Sequence, residues 1–255
     1  MSLPPLPTSN SRTEPSPALL EASRRWLQPV REALGAEFLA AYLTGSVLAD
    51  GFTPERSRVN LLVVSRTLDP AALDHLAGAL PVTKKAPHFD PLFMTRDQML
   101  ASLDVFPIEW LDLIERHLLI EGEDVFTGVE VPRANLRLQC EHELRGKHLR
   151  LRHEYLASAK HPERLAEVLA RLASGFHTLF RTLLRLRGET PPAGAERVIE
   201  RIAEVYGLDA RALLGAHLIR YTAAKPDTVN ARARYRAFLM EIERLVGAID
   251  GLRVP

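Results

Sequence analysis

Apolar positions along this chain change their period about halfway. Leu19, Leu20, Trp26, Leu27, Val30 and Leu34 recur at helical spacing behind Ser16-Pro17, a helix start, and ahead of Gly35, a natural stop. Pro29 is a point where that helix could kink. Residues 37 to 44 and 58 to 65 then read as short apolar strands separated by a polar loop. Asp69 caps a helix with Pro70 at its first position, running to Leu80. His88 to Met94 reads as a third strand, and Pro91 makes it an edge or interrupted one. Thr95 caps a short helix, and the segments near 107 to 113 and 116 to 121 suggest a further strand or strand pair.

Beyond Pro132 almost no strand signal remains. Leu136, Cys140, Leu144, His148, Leu151 and Tyr155 follow a helical period. A second helix is expected from about Pro162 to Arg187, shorter ones near 194 to 206 and 209 to 222, and a last one over roughly 228 to 250. Short connections favour an antiparallel bundle. The expected class is α+β: a mixed sheet with helices over residues 18–131, then an all-α bundle over 132–255. The Pro- and Ser-rich stretch 1–17 is expected to be a disordered tail.

Composition narrows the function classes. A net charge of +1 over 255 residues gives no whole-chain field for nucleic acid or an anionic membrane. No apolar run is long enough to span a bilayer, and the N-terminus lacks a secretory pattern, so a cytoplasmic location is expected. Cys140 is the single cysteine, which excludes an intrachain disulfide and reads as a buried helix thiol. Glycine-rich dinucleotide loops, Walker loops and zinc-type cysteine patterns are absent from the sequence.

The chemistry-bearing stretch is Gly45-Ser46, a loop, and then Ser57-Arg58-Val59-Asn60 opening the apolar run Leu61 to Val64. It resembles the signature of the nucleotidyltransferase superfamily, the fold of polymerase β and of the kanamycin-type nucleotidyltransferases. That signature is a Gly-Ser turn followed by Ser-Asp-x-Asp at a strand start. The two-part layout, sheet domain then helices, is similar too, both to kanamycin-type enzymes and to fusions with HEPN-type helical domains. The resemblance implies phosphate contacts at Gly45 and Ser46, and Ser57, Arg58 and Asn60 are the further candidates for nucleotide or phosphate binding. The two metal-binding aspartates of the signature fall on Arg58 and Asn60.

That departure has a physical consequence. Nucleotidyl transfer uses a divalent cation to neutralise the triphosphate, and Mg²⁺ takes hard oxygen ligands, chiefly carboxylates. Residues i and i+2 share one face of a strand, so Arg58 and Asn60 would point together. Arginine offers only donors and a fixed positive charge, which repels a cation and attracts phosphate. The expectation is a nucleotide- or phosphate-binding protein whose metal-dependent catalysis is weak or lost.

The resemblance also implies a third carboxylate, for which Asp90 is nearest in order and Glu109 and Asp112 are alternatives. Asp90 could instead form a salt bridge with Arg58. A general base from the helical part is implied as well, for which Glu141, Glu143 and Glu154 stand open. Two alternative functions follow: an active transferase moving a nucleoside monophosphate to a small-molecule or protein hydroxyl, or a non-enzymatic interaction module. No cofactor is required by the sequence, and Mg²⁺ enters only in the active-transferase case. The implied partner is a nucleoside triphosphate or phosphorylated small molecule. Nucleic acid at the Arg145, Lys147, Arg150, Arg152 run and a homodimer both remain open. The pairs Arg171–His177 and Arg211–His217 match the Arg-to-His spacing of HEPN ribonucleases, a spacing that also arises by chance.

Overall fold

The structure, a computed structural model, describes residues 14–48, 52–54, 57–83, 85–219, 228 and 230–254. Most of the tail expected at 1–17, much of the loop after Ser46, and the end of the helix expected at 209 to 222 lie outside the described residues. The described chain divides into two compact units, one ending at Pro132 and the other beginning at Arg133.

The first unit is built on a four-stranded mixed sheet. Helix α1 (Pro17–Leu34) starts at Ser16, whose side chain accepts from the Leu19 N–H, and runs through Pro29 without a break. A 3₁₀ turn, Gly35–Glu37, leads into β1 (Phe38–Thr44), and a second one, Gly45–Leu48, leaves it. Strand β2 (Val59–Ser65), helix α2 (Pro70–Ala79), strand β3 (Phe89–Thr95), helices α3 (Arg96–Ala101) and α4 (Pro107–Glu115) and strand β4 (His117–Gly122) follow. The strand order is β3-β2-β1-β4, antiparallel except for the parallel β2–β3 pair. The third strand is therefore an edge strand, as Pro91 leads one to expect.

Alternation gives the sheet two different faces. Ala41, Leu43, Val59, Leu61 and Val63 form one core with Trp26, Leu27 and Val30 of α1, and Phe89, Phe93, Leu118 and Ile120 pack against it. The opposite face carries Tyr42, whose ring meets His117 at 5.2 Å and Phe126 at 4.8 Å. The Tyr42 hydroxyl accepts from the Val125 N–H at 2.7 Å and donates to Asp124 Oδ1 at 3.1 Å. Burial pushes its pKa upward, so it stays a neutral phenol. Gly122, at φ +95°, pairs with Ala40 at the end of β4, and a Cβ there would lie 2.1 Å from the Leu39 carbonyl oxygen.

Two sequence expectations need correction. Residues 107–115 form a helix, with Pro107 in its first turn and Trp110 and Leu111 buried on one side. The helix expected from Pro162 to Arg187 is two, α6 (Pro162–Ser174) and α7 (His177–Leu186). These belong to the second unit, which also holds α5 (Arg133–Ser158), α8 (Ala195–Tyr206), α9 (Ala210–Leu218) and α10 (Ala231–Asp250). Its described residues contain no strand. The fold is thus α+β, a small mixed sheet with helices followed by a helical unit. Among the described residues no helix is long and apolar enough to cross a membrane.

Candidate functional site

Four strands bring four residues into one row. Thr44 is paired with Asn60 and with His117, and Asn60 is paired with Asp90. All four lie on the sheet face turned away from α1, where register pairs share a side. Tyr42, Leu62 and Val64 cover the middle of that face and are buried, whereas Asn60 and Asp90 at its end are exposed. The row is therefore open to solvent at the β2–β3 side and closed at the β1–β4 side.

Gly45 and Ser46 stand at one end of this row. Val47 and Leu48, two residues further on, are buried in the α1-side core and fix the 3₁₀ turn against the sheet. Gly45 has φ +74°, a conformation that L side chains rarely adopt. A Cβ built on it would lie 3.0 Å from Asn60 Nδ2, so the bare Cα leaves room for the Asn60 amide. Ser46 is exposed, and Ser57, half-buried, donates its N–H to the Thr53 carbonyl at 3.0 Å.

Arg58 enters from the residue before β2. Its Nη1 lies 3.6 Å from Asp90 Oδ1, with both side chains largely exposed. The structure thus brings Gly45, Arg58, Asn60 and Asp90 together, and adds Thr44 and His117 to the row. These last two were not singled out in the sequence, because pairing between distant strands has no local signature. His117 Nδ1 is 3.0 Å from the Leu113 and Ile114 carbonyls, and Asp124 stands 3.8 Å from its Nε2.

Of the other predicted residues, Glu109 and Asp112 belong to α4 and the rest to the second unit. Glu109 is an exposed residue in the first turn of α4. Asp112, also on α4, is ion-paired with Arg116. Glu143 is an exposed residue of α5, in the second unit, with Lys147 Nζ at 3.9 Å. Glu141 bridges Arg137 and Arg145 at 2.8 Å each, and these partners, the Arg145 hydrogen bond foremost, hold its pKa below the ordinary carboxylate value. Glu154 lies 3.7 Å from Arg171 beside a concavity of about 450 Å³ on α5 and α6. His217 is buried on α9.

The basic run on α5 is mostly neutralised. Arg145 also contacts Asp250 at 2.8 Å, Arg152 contacts Glu243 at 2.7 Å, and Lys147 has Glu143. A second concavity of the first unit, about 350 Å³, lies at the far end of the sheet between Arg66, Arg96, Asp97 and Glu123. None of the sequence-predicted site residues line it.

The donor set at the row does not fit the Mg²⁺ of metal-dependent nucleotidyl transfer. Asp90 is its one carboxylate among the described residues, and the fixed positive charge of Arg58 lies 3.6 Å from it. Asn60 adds a single neutral oxygen, where Mg²⁺ favours carboxylates in near-ideal octahedral geometry. Among the described residues no cluster of three or more His, Cys, Asp or Glu side chains is placed to hold a metal.

No protein-family model matches the chain, and no curated protein matches it. Among solved structures it is similar to spectinomycin adenyltransferase AAD(9) from Enterococcus faecialis, crystallised with ATP and spectinomycin. The identity is 13%, the TM-score 0.46, and the match covers 91% of this chain and 98% of that chain.

Proposed function

We propose that this chain is a nucleotidyltransferase-like protein that binds a nucleotide or phosphorylated small molecule without a metal. In this reading catalysis by the usual metal-dependent route is weak or lost. The observation that carries the reading is that Asn60 lies against Gly45 and Arg58 beside Asp90, Arg58 and Asn60 being the two positions where the resemblance expects aspartates. An arginine fork offers two parallel N–H donors to phosphate oxygens, and an Asn amide adds a neutral donor. Gly45 supplies close backbone approach and Ser46 an exposed hydroxyl.

The charge of the site supports metal-free binding. Three carboxylates would favour a dication and repel a bare triphosphate. Arg58, Asn60 and Asp90 together sum to zero, and the one fixed positive charge among them attracts phosphate and repels a cation. The cation's task of offsetting ligand charge then falls to the guanidinium.

The test is calorimetric titration of the full chain with the four ribonucleoside triphosphates, in EDTA and in excess Mg²⁺. Binding that persists in EDTA and is lost in Arg58→Ala is the expected result. Binding that appears only with Mg²⁺ overturns the reading in favour of a metal-loaded transferase. No binding to any of the four in either condition overturns it altogether.

A further inference from the structure

Resting on that reading, we propose that Asp90 is an affinity-setting residue of the site: an internal carboxylate that competes with the ligand's phosphate for Arg58. Three observations place it there. Asp90 is the register partner of Asn60, so its side chain is on the ligand-facing side of the sheet. Its Oδ1 is 3.6 Å from Arg58 Nη1. Both partners are more than half exposed, so the pair is not locked by packing and can open.

An exposed ion pair of this kind is weak, because water screens it and two flexible side chains lose freedom in forming it. A phosphate is a better partner for a guanidinium than one carboxylate oxygen, since it can accept two parallel hydrogen bonds. The ligand therefore displaces Asp90 from Arg58 and leaves the carboxylate, now unpaired, facing a polyanion. That residual repulsion grows with the charge of the phosphate chain. Asp90 thus holds Arg58 in place when the site is empty and lowers the affinity for highly charged ligands when it is filled. This role is opposite in sign to that of a metal-binding carboxylate, whose removal abolishes binding.

The experiment compares wild type, Asp90→Asn and Asp97→Asn in calorimetric titrations with ATP, AMP and tripolyphosphate in EDTA at low salt. Asp97 is an exposed carboxylate at the far end of the same unit and controls for general loss of negative charge. Asp90→Asn is expected to bind ATP and tripolyphosphate about 3- to 10-fold more tightly, with a smaller gain for AMP, while Asp97→Asn is unchanged. A gain for ATP without one for tripolyphosphate would overturn the competition, because the more highly charged phosphate chain must feel the removed carboxylate at least as strongly. Loss of binding in Asp90→Asn overturns the proposal but leaves the nucleotide reading standing. Equal gains in both variants, or none in either, overturn it as well. Absence of binding in wild type and Asp90→Asn alike removes the nucleotide reading and the proposal with it. Thermal melts of each variant confirm that the surface substitution leaves the fold intact.

Discussion

The Cα of Gly45 faces the side-chain amide of Asn60 so closely that a methyl group between them would sit 3.0 Å from Nδ2. This contact joins the turn after β1 to the start of β2 and ties a backbone conformation to a side-chain position. Gly45→Ala would both strain φ at +74° and push on Asn60. A left-handed L residue costs about 1–2 kcal/mol, and that loss is expected in denaturant unfolding of the variant. Affinity for ATP in EDTA should fall as well, because Asn60 is displaced. A variant as stable as wild type that also binds equally well would show that the turn is not part of the site.

Tyr42→Phe isolates the closed end of the row. The variant leaves the Val125 N–H, which the hydroxyl now satisfies at 2.7 Å, without that acceptor in a buried place. An unmet buried donor costs about 1–3 kcal/mol. The midpoint of urea unfolding should drop accordingly while ligand binding at Arg58 stays near wild type. A midpoint within error of wild type would mean that water takes over the hydrogen bond.

Gly122→Ala should be more damaging than Gly45→Ala. Its Cβ would meet backbone, the Leu39 oxygen at 2.1 Å and the Ala40 Cα at 2.8 Å, so no side chain can simply move aside. A loss of about 3 kcal/mol or more is expected, from a strained φ and a backbone clash together. Expression of a soluble variant with an unaltered melting temperature would contradict this.

His148 makes the helical unit sensitive to acid. It is buried on α5, and its Nε2 has no hydrogen-bond partner. Burial first, then Arg152 and Arg145 on its own helix, lower its pKa below 6.5, against the opposing pull of Glu243 on α10. The unfolded chain therefore takes up this proton more readily than the folded one. Stability is full above pH 6.5 and declines as pH falls below it. His148→Leu should flatten the decline between pH 6.5 and 5 in thermal melts. An unchanged pH slope would assign the acid sensitivity to other groups.

How far the sequence discloses this fold depends on the range of each interaction. The cap at Asp69 and the capping box at Thr95 are local, and both stand where the residues place them. Arg58 and Asn60 share a face because strands alternate, which a sequence also states. The register of Asn60 with Asp90 is different: it links residues thirty positions apart, and only the folded sheet specifies it. The α6–α7 break escapes detection because the apolar stripe continues across it. Gly175 keeps helical angles there, and the N–H groups of Gly175 and Phe176 shift to acceptors three residues back. At α4 the apolar density of Ile108 to Ile114 imitates a strand, although Pro107 and Glu109 are first-turn helix signals.

Pro91 bears on how this site edge behaves in a crowded solution. The Val59 N–H donates to the His88 carbonyl, and the alternation of a parallel ladder then turns the Asp90 and Leu92 amides inward and the Pro91 nitrogen outward. An approaching strand would find a missing donor at that point, with a charged carboxylate next to it. Edge strands that lack such features invite aggregation. Asp90, exposed at the open side of the row, therefore also helps Pro91 deny this edge to another polypeptide.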